Sequence, residues 1–167
     1  YVGVESVGQF VKLMNSYFKK EKLHAEAVHL SLFELEKVKS LNLPEGEYVV
    51  VGSGILDALA IRDAEDIDLV VSESIFENLR SSGWQEDREF LKKYGRRCLK
   101  MGNIEVYDNF NIGDYNLSLA DIPFKTLSIR GVTFMSLEEL LKFKRILNRE
   151  KAQRDIELIE NYLKVIE

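Results

Sequence analysis

The sequence predicts an α+β protein, in which a mixed β-sheet is flanked by helices. Two observations favour this fold class. Short apolar runs near the middle of the chain, Tyr48–Val51 and Ile67–Val71, have the length and composition of buried strands. Both ends of the chain instead place apolar residues at helical spacing. We therefore expect helices before and after a central region of strands and short helices.

Helices are expected near the start, where residues 6–20 and 21–41 place apolar side chains at helical spacing. Pro44 follows and favours a break in the chain. We expect residues 1–43 to form a helical hairpin that packs on a core domain of residues 44–167, which includes the C-terminal helices. These N-terminal helices are also the expected surface for a homodimer or a protein partner.

The core domain is expected to continue with short elements. Ser72 or Ser74 opens a helix that ends at Gly83, and residues 84–94 suit a strand with a loop. Later segments predict a hairpin that turns at residues 102–103 and a loop at residues 109–121. They also predict two short strands around residues 130–131, a helix opened by Ser136 and Glu139, and a last amphipathic helix that ends at residue 166.

Two acidic residues, Asp66 and Asp68, open the second apolar strand. Residues two apart on a strand point to the same face, so the two carboxylates share one site. The first apolar strand ends in a turn of small residues, beginning with Gly52 and Ser53, which has room for a phosphate. This combination favours a site for a metal ion and a nucleotide. Two solvated acids at a strand start are the alternative.

This pattern resembles the nucleotidyltransferase superfamily, typified by DNA polymerase β and the kanamycin and lincosamide nucleotidyltransferases. The family has an apolar strand, Gly-Gly or Gly-Ser, a gap of about ten residues, Asp-apolar-Asp-apolar, and a third carboxylate on a later strand. The chain is most similar to small, single-domain members over roughly residues 47–162. The matching segments are Val51-Gly52-Ser53, Asp66-Ile67-Asp68-Leu69 and Ile104-Glu105-Val106.

The resemblance implies a Mg²⁺-dependent enzyme that moves a nucleoside monophosphate from an NTP, such as ATP, to a hydroxyl of an unidentified acceptor. Asp66 and Asp68 would hold two Mg²⁺ ions, and Glu105 would hold the metal that activates the acceptor. The residues expected to bind the nucleotide are Gly52, Ser53, Arg62 and Lys144.

Three assignments stay open in the sequence. Asp108 is a rival third carboxylate, although it points to the opposite strand face from Glu105. Arg62 binds a phosphate or pairs with Asp66. The basic cluster of residues 92–100 has two interpretations: it binds a triphosphate or nucleic acid, or it forms a solvated hairpin.

A second interpretation is a catalytically inactive nucleotidyltransferase-like interaction module, for example half of a two-component toxin–antitoxin-type system. Ala64 favours it, because family members often carry Ser or Thr two residues before the first Asp. Such a module would bind its partner through an exposed apolar patch on the N-terminal helices.

Composition narrows the class of protein. The formal net charge of −5 argues against non-specific nucleic-acid binding. Cys98 is the single cysteine, so the chain forms no internal disulfide, which is compatible with the predicted cytoplasmic location. No apolar run suits a membrane span, and the first residues lack the features of a signal peptide. We therefore expect no membrane partner.

Overall fold

The described part of the chain contains nine short strands. The structure is a computed structural model that describes residues 32–166. Its strands are β1 (Tyr48–Val51), β2 (Ile67–Val71), β3 (Gln85–Glu86), β4 (Cys98–Met101), β5 (Ile104–Tyr107), β6 (Phe110–Ile112), β7 (Tyr115–Leu117), β8 (Thr126–Ile129) and β9 (Val132–Met135). Seven form one mixed sheet in the order β3-β4-β5-β2-β1-β9-β8, and β6 pairs with β7.

Helices pack against this sheet. They are α1 (Leu32–Ser40), α2 (Gly54–Ala58), α3 (Glu73–Ser81), α4 (Arg88–Tyr94), α5 (Ile122–Lys125), α6 (Leu137–Leu147) and α7 (Glu150–Ile166). Helix α2 contacts β1 and β9, α3 and α4 contact β4, and α6 packs along α7. The prediction of an α+β protein with a mixed sheet is therefore confirmed.

Three adjacent strands of the sheet, β2, β1 and β9, are buried almost throughout. Every residue of β1 and β9 is buried, as is every residue of β2 except Asp68. Runs of this kind are typical of strands covered on both faces. Strand β2 runs antiparallel to β1 and parallel to β5. Asp68 is thus a polar position within an otherwise apolar centre.

The predicted N-terminal hairpin lies largely in residues 1–31, outside the described residues. Helix α1 falls within the second predicted helix, and its Leu35 and Val38 join the main buried core. The helix expected at residues 6–20, its role as a partner surface, and the domain boundary after residue 43 stay predictions.

Several predicted elements agree with the structure, and their caps explain why. Ser72, and not Ser74, opens α3, because its Oγ accepts from the Ile75 N–H at 3.4 Å. Ser136 opens α6 in the same way, accepting from the Glu139 N–H at 3.2 Å. The hairpin at residues 102–103 and the strands around residues 130–131 also form.

The strand predicted over residues 84–94 is wrong for most of its length. Aromatic residues there favour a strand. However, Asp87 Oδ1 accepts from the Phe90 N–H at 2.9 Å, and Gly95 ends the segment with a left-handed φ of 65°. The two caps stabilise α4, so only the two residues of β3 remain in strand form.

The loop predicted over residues 109–121 is also wrong, because β6 and β7 form a hairpin there. Four apolar side chains alternate with polar ones along these strands, and Gly113 has the positive φ (56°) that a tight turn requires. The asparagine and aspartate content of the segment obscures this period-two pattern.

We expect Gly54→Ala to destabilise the protein by about 1–3 kcal/mol, because overpacking a core forces its neighbours to shift. A Cβ at Gly54 would lie 2.7 Å from Cγ1 of Val50, a buried β-branched side chain. Gly102→Ala is the control, since its Cβ would meet nothing within 4 Å and only its φ of 58° is unfavourable. Urea unfolding measures both variants. A Gly54→Ala midpoint equal to that of wild type would contradict the close contact.

Candidate functional site

The turn after β1 brings the backbone close to a carboxylate. Gly52 has a φ of 66°, and a Cβ there would lie 3.1 Å from Oδ2 of Asp68. The Gly52 N–H donates to Sδ of Met135 at 3.2 Å. Glycine adopts this φ without strain and leaves room for the carboxylate. The Gly52-Ser53 turn therefore lies directly beside Asp68.

Two of the predicted acidic residues are brought together by strand register. Asp68 in β2 lies opposite Glu105 in the parallel strand β5, so both side chains project from the same face. Asp66 immediately precedes β2 and is exposed. Asp108 lies elsewhere, because its Oδ2 accepts from Nε of Arg97 at 2.8 Å. Glu105 is thus the acid that neighbours Asp68.

The two neighbouring carboxylates have very different partners. Oε2 of Glu105 accepts from the Tyr107 hydroxyl at 2.7 Å, and Oε1 lies 3.2 Å from Nζ of Lys100. Oδ1 of Asp68, in contrast, is buried and has no hydrogen-bond partner in the described part of the chain. A buried acceptor without a partner costs free energy unless a ligand satisfies it.

This difference sets the charges of the pair. Burial, followed by the negative charges of Glu105 and Asp66, raises the pKa of Asp68 to about 7, against the opposing effect of Lys144. For Glu105, burial acts in the same direction, but hydrogen bonds from Tyr107 and Lys100 outweigh it and lower the pKa. Asp68 therefore keeps its proton to a higher pH than Glu105 does.

A buried carboxylate, Asp155 in α7, gathers two cations beside the same turn. Arg62 binds it with two hydrogen bonds, from Nε at 2.6 Å and from Nη2 at 2.8 Å, and Nζ of Lys144 lies 3.0 Å away. Both cations also donate to Oγ of Ser53, at 2.8 Å and 3.4 Å. The interpretation that pairs Arg62 with Asp66 is wrong, since Asp155 supplies the carboxylate.

These groups line one cleft of about 790 Å³, a volume within the range of small-molecule sites. Its walls come from the turn after β1, the segment before β2 and the first turns of α7. The lining residues include Ser53, Arg62, Asp66, Asp68, Arg154 and Asp155. The cleft therefore holds two of the predicted carboxylates, Asp66 and Asp68, together with basic side chains, and Glu105 lies beside Asp68 outside its lining.

The predicted basic cluster of residues 92–100 does not act as one surface. Lys100 pairs with Asp87 and Glu105. Arg96 lies among aromatic rings, whereas Arg97 pairs with the carboxylates of Glu73, Glu77 and Asp108. The basic side chains therefore do not form one solvated hairpin surface, and binding of a triphosphate or nucleic acid by this cluster stays a prediction.

Sequence reasoning missed the role of Asp155, although a signal exists. Helix α7 buries Ala152, Asp155, Ile156 and Ile159, which recur at helical spacing. A single acid within the apolar stripe of a helix is costly unless it is paired, so it indicates an internal ion pair. No comparable sequence pattern marks Tyr107 and Lys100, which contact the carboxylate of Glu105.

Within residues 32–166, no group of three or more His, Cys, Asp and Glu side chains is arranged to hold a metal ion. The local reason is visible in Glu105, whose two oxygens are engaged by Tyr107 and Lys100. Convergence of the three predicted ligands on one ion would require Glu105 to release a donor.

The chain matches no protein-family model, no curated protein and no solved structure. No helix within the described residues has the length and apolar character needed to cross a membrane. The cytoplasmic location stays a prediction.

We expect Asp68→Asn to stabilise the metal-free protein by about 2–4 kcal/mol at pH 8, because asparagine resembles the protonated acid that burial favours. Folding raises the pKa of Asp68 from about 4, its value in the unfolded chain, to about 7. The wild-type protein therefore becomes less stable as the pH rises from 4 through 7. The difference between the proteins should therefore shrink as the pH falls toward 4.

Urea unfolding in EDTA at pH 4, 6 and 8 measures this difference. Glu157→Gln is the matched control, because Glu157 is exposed on α7. A stability difference for Asp68→Asn that is independent of pH would show that Asp68 does not titrate in this range.

We expect Asp155→Asn to destabilise the protein by about 3 kcal/mol at pH 7, because Arg62 and Lys144 lose their shared carboxylate. Burial of Asp155 acts to raise its pKa, but hydrogen bonds from these cations lower it overall. Its stabilising effect is therefore complete above the unfolded pKa of about 4 and is lost as the pH falls through the lower folded pKa. Urea unfolding at pH 7 and pH 3 measures this, and an unchanged midpoint at pH 7 would refute it.

Proposed function

We propose that this chain is a nucleotidyltransferase, which moves a nucleoside monophosphate from an NTP to a hydroxyl of an acceptor. The observation that carries the proposal is the register of β2 and β5, which sets Asp68 beside Glu105 and close to Gly52. The order of elements supports a nucleotidyltransferase-like fold: an apolar strand, a Gly-Ser turn, an Asp-x-Asp strand and a later strand with a third acid.

The donor set fits Mg²⁺, a hard cation that binds carboxylate oxygens. Asp66, Asp68 and Glu105 would hold it, and the buried, unpartnered Oδ1 of Asp68 supports this fit because a cation would satisfy that oxygen. When bound, a pair of such ions stabilises charge at the α-phosphate and favours ionisation of the attacking hydroxyl.

The basic side of the cleft suits a triphosphate. Oγ of Ser53 accepts from Arg62 and Lys144, so its proton is available to a phosphate oxygen. Asp155 holds both cations in place, which reduces the entropy lost when they bind an anion. Gly52 allows the backbone to approach the phosphates closely.

In the proposed step, the acceptor oxygen bonds to the α-phosphorus and the bond from that phosphorus to the α–β bridging oxygen breaks. Pyrophosphate leaves with the bridging oxygen. The acceptor proton passes to a carboxylate of the site, and Glu105 is our candidate because Tyr107 and Lys100 favour its ionised form.

A second candidate is the inactive interaction module, which the engagement of Glu105 favours. Lys100 links Glu105 to Asp87, so this acid also has a purely structural role. Ala64 is a further departure from the family pattern. A module of this kind would bind no triphosphate in the cleft.

The test is calorimetric binding of a non-hydrolysable ATP analogue, with a methylene group between the α- and β-phosphates, in the presence and absence of Mg²⁺. We expect Mg²⁺-dependent binding that Asp68→Asn weakens by about a hundredfold or more, since even the outer partners of metal ligands typically contribute 10–100-fold. Glu157→Gln should bind as wild type does. Absence of any Mg²⁺-dependent binding would refute the transferase and favour the interaction module.

A further inference from the structure

Asp68 lies on the wall of a second cavity as well as the cleft. This cavity has a volume of about 450 Å³ and is bounded by α4, β5, the β6–β7 hairpin and the end of α6. Its lining includes Tyr94, Arg96, Tyr107, Phe110 and Arg149. A ligand in this cavity would therefore reach Asp68 from a side different from that of a ligand in the cleft.

Arg96 is the polar centre of the second cavity. Its guanidinium lies 5.2 Å from the ring centre of Tyr107 and 5.9 Å from that of Phe110. Nη2 donates to the Asn109 carbonyl at 2.8 Å, but Nε is buried without a hydrogen-bond partner in the described chain. No carboxylate of residues 32–166 forms an ion pair with it.

The next residue along the chain, Arg97, has the ion pairs that Arg96 lacks. Arg97 forms ion pairs with Glu73, Glu77 and Asp108, and is thus fully neutralised. Arg96 is half-buried, and its partners are aromatic faces and the Asn109 carbonyl instead of a carboxylate. A cation kept from water with no paired anion is costly, and an anionic ligand would offset that cost. Arg149, which is exposed at the edge of the cavity, adds a second positive charge.

The cavity also presents a surface for a flat ring. The Tyr94 side chain is 48% exposed, and its ring centre lies 4.8 Å from that of Phe90. Exposed aromatic side chains next to an arginine are suited to stacking of a planar group. Ring stacking and anion binding are thus available within one cavity.

We propose that this second cavity is the acceptor site and takes a planar aromatic group that carries an anion, of which a nucleoside monophosphate is the simplest case. The ring stacks against Tyr94, the anion binds Arg96 and Arg149, and a hydroxyl is directed to Asp68. The acceptor role rests on the proposed function, whereas binding in the cavity does not.

The test is calorimetric titration of the wild-type protein with AMP in EDTA, without Mg²⁺. Adenosine, which lacks the anion, and ribose 5-phosphate, which lacks the ring, are the matched ligands. We expect AMP to bind at least about tenfold more tightly than either, because each fragment loses one set of contacts. Equal affinities for the three ligands, or no binding of AMP, would overturn the proposal.

Variants locate the bound AMP. Arg96→Gln, Arg149→Gln and Tyr94→Ala should each weaken binding by about tenfold, and the last two alter exposed side chains that folding does not require. Arg80→Gln, on an exposed part of α3, is the control and should bind as wild type does. Arg154→Gln, which alters an exposed side chain on the wall of the cleft, should leave AMP affinity unchanged.

Two outcomes separate this inference from the proposed function. Loss of AMP binding in Arg154→Gln, with retention in Arg149→Gln and Tyr94→Ala, would put AMP in the cleft and overturn the second site while leaving the transferase intact. AMP binding that depends on Arg96, without Mg²⁺-dependent binding of the triphosphate analogue, would support the second site and remove its acceptor role.

Discussion

The register of β2 between β1 and β5 is the constraint on which the candidate site depends. Four of the five residues of β2 are buried, and a slip by one position would turn Asp68, the one residue of the strand that is not buried, to the opposite face of the sheet. Hydrophobic packing therefore fixes Asp68 beside Glu105 although like charges repel. The cost is visible in the raised pKa of Asp68, and the apolar strands around it supply the stability that offsets this cost.

On the opposite side of the cleft, a single buried carboxylate holds two basic side chains together. Asp155 binds Arg62, which precedes β2, and Lys144, which comes from α6, and both cations reach Ser53. Two parts of the chain that are distant in sequence, residues 53–62 and 144–155, thus meet through one ionic network. The C-terminal helices are thereby connected to the turn after β1, which gives the second half of the chain a direct part in shaping the cleft.

Much of this arrangement could be predicted from the sequence, because local signals and tertiary packing agree there. The β1–turn–β2 segment is marked by apolar strands and small residues, and α6 by the Ser136 cap. Predictions were wrong where local signals conflict: aromatic residues obscured the Asp87 cap of α4, and polar residues obscured the alternation of β6 and β7. The partner of Arg62 could not be fixed, because Asp155 lies 93 residues away and only the fold brings it near.

The balance of charge in the cleft has a consequence for the order in which ligands arrive. Three basic and six acidic side chains line its walls, so a bare polyanion meets net repulsion before it can reach the basic side. A divalent cation meets attraction from the same walls. For the proposed reaction, the species that enters is therefore a complex of cation and triphosphate, whose negative charge is partly neutralised, or the cation comes first. The cleft would discriminate against free nucleotide at the stage of encounter, before any hydrogen bond is made.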